Sequence, residues 1–189
     1  KKSAFMPPMA ADLKERPYEL NSGDSLALLN LSGSKTASEI LVKDRYRYFW
    51  VYDRNLKLLW KGEGQTGHFP YAYDMDGDGK EEFVMGYTLW SRDGRKLWSR
   101  DQELRDHADG IAIGNFSGDP NAQPMAYACG SDEGFILFDR EGRILKHHRI
   151  GHAQSPAIAK FRADLPGLQL LTINYWRTPG ILTLIDAQG

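Results

Sequence analysis

Two short markers recur along the chain at nearly one period, and this repetition limits the fold more than any other feature. One marker closes each unit with an apolar run, a turn and a second run. It reads YFWVYDRNLKLLW (residues 48–60), YTLWSRDGRKLW (87–98), FILFDREGRIL (135–145) and ILTLIDAQG (181–189). Aligned on Asp53, Asp93, Asp139 and Asp186, the copies are spaced by 40, 46 and 47 residues. The second marker opens each unit: NLSG from Asn30, DMDG from Asp74, NFSG from Asn115 and KFRA from Lys160. Those starts are 44, 41 and 45 residues apart. Two independent markers with matching periods define four copies of one supersecondary unit.

Each unit reads as strands. Between the markers lie β-rich runs at 40–42, 82–86, 124–129 and 168–173, and the D-x-x-G turns supply glycine for the left-handed position of a hairpin. Helical periodicity is absent apart from a weak turn around 10–16. A four-stranded unit of this length predicts an all-β fold, a β-propeller with about four four-stranded blades. A stacked β-solenoid is the alternative, but its coils are usually shorter. The units divide at about 21–60, 61–100, 101–148 and 149–189. They follow an N-terminal connector or closing strand at 1–20, where Pro7 and Pro8 cannot donate to a ladder. The last unit has no outermost strand, which favours part of a seven- or eight-bladed ring over a closed four-bladed one.

A net charge of −1 over 189 residues supplies no global field for nucleic acid or anionic membrane. No apolar run approaches the roughly 20 residues of a membrane span. Lys1, Lys2 and Ser3 are not followed by the apolar core of a signal peptide. Cys129 stands alone, so neither a disulfide framework nor a thiolate cluster is expected. Aromatic residues reach 12%. They fill sheet interfaces, and exposed ones can stack on sugar rings.

The strongest local motif is Asp74-Met-Asp76-Gly-Asp78-Gly-Lys80-Glu-Glu82. Carboxylates at loop positions 1, 3 and 5 wrap a hard cation, glycines allow the sharp turn, the Lys80 carbonyl serves at position 7 and Glu82 closes the site. An EF-hand would place its closing glutamate where Met85 stands, and a strand follows in place of a helix. One structural Ca2+ is expected, held by Asp74, Asp76, Asp78, Lys80 and Glu82. The equivalent loops of the other units lack the carboxylates.

The histidines also follow the repeat. His107 in DHADGIAIGNF and His152 in GHAQSPAIAKF align without gaps, and His68 in GHFPYAYDM is nearly equivalent. In a propeller, such positions converge at one mouth. The bland reading is that each is a turn or packing residue. Near the same mouth fall Arg149, Asp109, Tyr71, Tyr73 and Tyr87, and the aromatic and basic cluster Tyr175, Trp176 and Arg177. Whether the imidazoles also hold a second metal such as zinc stays open, because their spacing is set by the repeat and not by a local metal motif.

The stretches GHFPYAYDMDGDGKEEFVMGYTLWSRDGRKLW, DHADGIAIGNF and SDEGF, and the run from GHAQ to DLPGL, resemble β-propeller polysaccharide lyases of the ulvan-lyase and rhamnogalacturonan-lyase type, over about 40–189. The resemblance implies β-elimination on an acidic polysaccharide or oligosaccharide, in a secreted or periplasmic protein. It implies His68 as base or acid and Arg149 as the group that neutralises the substrate carboxylate. His107, His152 and Tyr87 complete the catalytic candidates. Tyr71, Asp109, Tyr175, Trp176 and Arg177 are the substrate-binding candidates. The sequence departs from the family at Tyr87-Thr88, where a second histidine is expected, and at SDEGF, where a tyrosine is expected. A non-catalytic carbohydrate- or protein-binding propeller, or a purely structural calcium-stabilised scaffold, are the alternatives.

Overall fold

The computed structural model describes Lys2 and residues 23–189. The connector expected at 1–20 and the weak helical turn at 10–16 lie almost wholly outside the described residues. The described residues form strands, turns and loops without a helix. The first sheet comprises β1 (Ser25–Leu29), β2 (Glu39–Lys43), β3 (Tyr48–Tyr52) and β4 (Leu58–Glu63). The second comprises β5 (Tyr71–Tyr73), β6 (Glu82–Met85), β7 (Thr88–Trp90) and β8 (Lys96–Ser99). The third comprises β9 (Gly110–Gly114), β10 (Met125–Cys129), β11 (Phe135–Phe138) and β12 (Ile144–His148). The fourth has three strands: β13 (His152–Ala159), β14 (Gln169–Trp176) and β15 (Ile181–Ile185). Every sheet is an antiparallel meander in chain order.

Burial follows strand position. The middle strands β3, β6 and β11 are buried at every residue, because each face of their sheet meets apolar side chains. The fourth strands β4 and β12 carry alternating or exposed residues. Three cores lie between successive sheets. Leu29, Leu41, Phe49 and Val51 meet Phe83, Met85 and Trp90 between the first and second. Val84 and Leu89 meet Ile111, Ile113, Ala128 and Phe138 between the second and third. Tyr127, Phe135 and Leu137 meet Ala153 and Leu170 between the third and fourth. The aromatic excess is largely used here: Trp60 stacks on Phe83 and Trp98 on Phe138.

The closing turns show the repeat in finer register than the sequence alignment. The amides of Leu56, Gly94, Gly142 and Gly189 donate to the carbonyls of Asp53, Ser91, Asp139 and Asp186. Ser91, not Asp93, is therefore the equivalent of the other three aspartates. Asp93 sits inside its turn, bonded to Ser91 and Arg95. Gly94 and Gly142 take the left-handed conformation the turn requires, and Leu56 adopts it at φ 62° in the first unit. A bulge follows at the same place in β4, β8 and β12, where Leu59, Leu97 and Leu145 are left out of the pairing.

A second repeated device ties the opening loop to the start of the second strand in the first, second and fourth units. Glu39 accepts from the Leu31 amide at 2.9 Å, Glu82 from Met75 at 3.0 Å, and Gln169 from Arg162 at 2.8 Å. These buried acceptors satisfy amides that would otherwise be orphaned.

Candidate functional site

The segments entering the sheets and the turns between their second and third strands lie together. Asp24 precedes β1, His68 precedes β5, His107 and Asp109 precede β9, and His152 opens β13. Tyr46 lies between β2 and β3, and Ser131 and Asp132 lie between β10 and β11. Backbone bonds extend the ladders to this edge: His68 N donates to Ala108 O at 2.9 Å, Asp109 N to Cys129 O at 2.8 Å, and Ala153 N to Ser131 O at 2.9 Å.

The three repeat-related histidines surround the buried carboxylate of Asp109. His68 Nε2 is 3.6 Å and His107 Nε2 3.7 Å from Oδ1, and His152 Nε2 is 3.3 Å from Oδ2. The ring centroids of His68 and His107 are 5.1 Å apart, and those of His107 and His152 6.4 Å. The opposite nitrogen of each ring faces another carboxylate. His68 Nδ1 is 3.4 Å from Asp24, His107 Nδ1 2.8 Å from Asp106, and His152 Nδ1 2.7 Å from Asp132. Ser131 Oγ donates to Asp109 Oδ2 at 2.5 Å and lies 3.2 Å from His107 Nε2. Tyr46 packs against both His68 and His107. Buried Lys43 reaches Asp24 at 3.0 Å and the His68 carbonyl at 3.2 Å.

Beside this cluster, Trp176 pairs with His152 in the β13–β14 ladder, at 6.4 Å between rings. Tyr175 stacks on Trp176, and the two are 50% and 56% exposed. Arg177 is exposed in the following turn. Tyr71 opens β5 and is partly exposed.

Two candidates make no contact with Asp109 or the three histidines around it. Arg149 is largely exposed, and its charged partner is Glu133 at 3.2 Å. The catalytic expectation for Tyr87 is corrected: it is a core residue, fully buried between the second and third sheets. Burial, reinforced by the charges of Glu133, Asp106 and Asp109, raises its phenol far above the ordinary value. A phenol so placed neither meets substrate nor releases its proton. His147 and His148 lie on β12, one against the Glu133 carbonyl and the other on the Phe135 ring.

Reading the sequence missed Asp24, Tyr46, Lys43, Asp106 and Ser131. A signal for Asp24 was present: it lies six residues before Asn30, as His68 lies six before Asp74.

In the acidic loop, single oxygens of Asp74, Asp76 and Asp78 come within 4.8 Å of one another. Asp74 accepts from the amides of Gly77, Asp78 and Gly79. Arg92 reaches Asp78 at 2.8 Å. Glu82 makes the loop tie to Met75 that Glu39 makes to Leu31 in the first unit, whose opening loop carries no acidic residue. Burial holds the Glu82 carboxyl above the usual range, with Asp76 and Asp78 pushing the same way. The loop is pinned to the first sheet, where Glu81 and Asn30 bond through Glu81 N to Asn30 O and Asn30 N to Glu81 Oε2.

No family model matches the chain. No curated protein matches it. Among solved structures, the chain is similar to the rhamnogalacturonan lyase YesW, at 20% identity and TM-score 0.71, over 90% of this chain and 30% of that one. It is similar to the exotype rhamnogalacturonan lyase YesX, at 22% identity and TM-score 0.76, over 99% of this chain and 34% of the other. A Bacillus licheniformis rhamnogalacturonan lyase aligns at 19% identity and TM-score 0.71, over 95% of this chain and 33% of its own. The likeness is one of fold, and the chain spans about a third of the length of these structures.

Proposed function

We propose that this chain is part of a polysaccharide lyase-like β-propeller that acts on an acidic polysaccharide at the histidine rim. The observation that carries the reading is the meeting of His68, His107 and His152, from three successive sheets, around Asp109, beside the exposed Tyr175–Trp176 pair. The four sheets are read as successive blades of a seven- or eight-bladed ring. The meander topology, the repeated entry segments and the likeness to rhamnogalacturonan lyases support that reading, and the likeness also supports a secreted or periplasmic setting.

The reaction is β-elimination at a uronic acid. A base takes the C5 proton, its electron pair forms the C4–C5 double bond, and the C4–oxygen bond breaks. The leaving oxygen then takes a proton. His152 is the base in this scheme. Asp132 fixes its Nδ1 at 2.7 Å, so Nε2 faces the site, and its ring adjoins the Trp176 platform where a sugar would stack. Arg149 reaches the substrate carboxylate by exchanging its contact with Glu133. Asp74, Asp76 and Asp78 hold a structural Ca2+, with the Lys80 carbonyl and Glu82 completing the set. Since Glu81 joins this loop to Asn30, the ion would brace two neighbouring sheets.

The burial of Tyr87 and the engagement of Arg149 by Glu133 favour a second reading, in which the rim binds an acidic polysaccharide without cleaving it. One experiment separates the two. The chain is incubated with rhamnogalacturonan, ulvan and polygalacturonate, and the ultraviolet absorbance of the unsaturated product is followed. A rise lost in His152→Ala supports cleavage. Retention on a polymer affinity gel with no rise assigns binding alone. Neither a rise nor retention removes both.

A further inference from the structure

We infer that a cleft between the first and second sheets is a second acidic-sugar subsite, in which Arg47 and Lys96 take the carboxylate of the sugar next to the one at the histidine rim. This subsite rests on the polysaccharide reading above and extends it to a neighbouring residue of the same polymer. Asp24, Asp106, Asp109 and Asp132 gather about the three imidazoles, and against them stands buried Lys43, bonded to Asp24. A rim so rich in carboxylate repels a polyanion, so the cations that hold one come from beside it. The cleft supplies two. Its volume is about 570 Å³, and Tyr46, Arg47, Gln65, Lys96, Asp101 and Gln102 line it. That size lies within the range of small-molecule sites. Tyr46 joins the cleft to the rim: its hydroxyl is 3.5 Å from His68 Nε2, and its ring packs on His68 and His107. Gln65 makes a second junction, donating through Nε2 to the Asp106 carbonyl at 3.1 Å. A sugar chain leaving the rim over Tyr46 enters this cleft.

Lys96 is exposed and rests over the Trp90 ring, 5.1 Å from its centroid, with no carboxylate in ion-pair range among the described residues. Its ammonium is thus oriented by an aromatic face and still lacks an anion. Arg47 is exposed on the turn between β2 and β3, with its guanidinium 5.0 Å from the centroid of the Tyr48 ring. A guanidinium and an ammonium in one cleft suit a carboxylate. The acceptors suit hydroxyl groups. Glu63 also lines the cleft. Asp101 Oδ2 accepts from the Thr88 hydroxyl at 3.1 Å, and Gln65 is anchored through its nitrogen. The other oxygens, Asp101 Oδ1 and Gln65 Oε1, have no donor. The last torsion of such side chains is soft, so either oxygen turns to accept from a ligand hydroxyl. One carboxylate together with several hydroxyls describes a uronic acid. Gly64 keeps the cleft open. A Cβ there would meet Trp90 at 3.4 Å, and Asp101 Oδ2 and Lys96 Nζ at 3.8 Å. Those are ordinary contacts, and the residue does not have a positive φ, so a larger side chain at 64 fits the backbone and fills the cleft.

Oligogalacturonates are titrated by calorimetry into the chain and its variants, in a buffer containing CaCl2. Lys96→Gln is expected to weaken binding about tenfold, the worth of one charge-assisted hydrogen bond. Lys96→Arg, which keeps the charge, retains most of the affinity. Gly64→Leu weakens binding at least as much as Lys96→Gln. Arg95→Gln removes the same charge from the same strand entry, but outside the cleft, and leaves binding unchanged. If Gly64→Leu fails to fold, as judged by near-ultraviolet circular dichroism, Lys96→Gln still decides, because its side chain is exposed. Binding that falls in Trp176→Ala but is indifferent to Lys96→Gln and Gly64→Leu would overturn the subsite and leave the rim reading in place. Equal losses in Lys96→Gln and Arg95→Gln would also overturn it, since they would mark a general charge effect. No binding by the unaltered chain would overturn the subsite and the rim reading together.

Discussion

The His68 amide donates to the Ala108 carbonyl at 2.9 Å, and this bond joins the entry segments of two neighbouring sheets. It sets His68 beside His107 and Asp109. The preceding residue, Gly67, has φ +58°, and a Cβ there would sit 2.4 Å from the same carbonyl. A side chain at 67 and the 68–108 bond are incompatible.

Gly67→Ala should therefore cost about 3 kcal/mol or more, from a left-handed alanine plus a backbone clash. Gly77→Ala is the control. Its φ is +80°, but nothing lies within 4 Å of the new Cβ, so only the conformational cost of about 1 kcal/mol applies. Urea denaturation of both variants checks the difference.

Calcium should stabilise the chain through the acidic loop. Free calcium at a hundred times the dissociation constant adds about 2.7 kcal/mol, and EDTA should remove it. Asp76→Asn combined with Asp78→Asn should make the melting temperature indifferent to calcium. A wild-type melting temperature insensitive to millimolar calcium would contradict the metal reading of this loop.

Trp176→Ala should weaken binding of an oligouronate about tenfold, equivalent to 1.4 kcal/mol. Because Trp176 is more than half exposed, stability should change by less than about 0.5 kcal/mol. Calorimetry and thermal denaturation read the two effects separately.

Cys129 should resist thiol reagents at pH 8 in the native state and react once unfolded. Burial raises its pKa from an ordinary 9.0 to about 11. The folded chain thus keeps a proton that the unfolded chain loses. The stabilisation is complete below pH 9 and disappears as pH rises toward 11, at a slope of up to about 1.4 kcal/mol per pH unit. Thiol titration at pH 8 and denaturation midpoints across that range check both parts.

The all-β architecture was legible because the repeat imposes its period on every strand, whatever the residue at a given position. The register of the closing turns was less so. Ser91 replaces an aspartate and Leu56 a glycine, so a motif keyed to Asp and Gly shifted onto Asp93. The convergence of His68, His107 and His152 followed from their place in the repeat. The carboxylates behind them were harder to see: Asp24 is marked only by its spacing from Asn30, and Asp106, which opens the DHAD stretch, acts only through the ring it faces. Tyr87 misled because it follows the acidic loop and stands where the resemblance expects a second histidine. Here, however, the neighbouring sheet covers it.

The most direct test of the shared rim is a nitrogen-correlated NMR spectrum of the five imidazoles during titration with a uronic-acid oligosaccharide. The signals of His68, His107 and His152 should move together at one dissociation constant, while those of His147 and His148 stay in place. Movement of only one of the three, or of His147 and His148 instead, would contradict a common site.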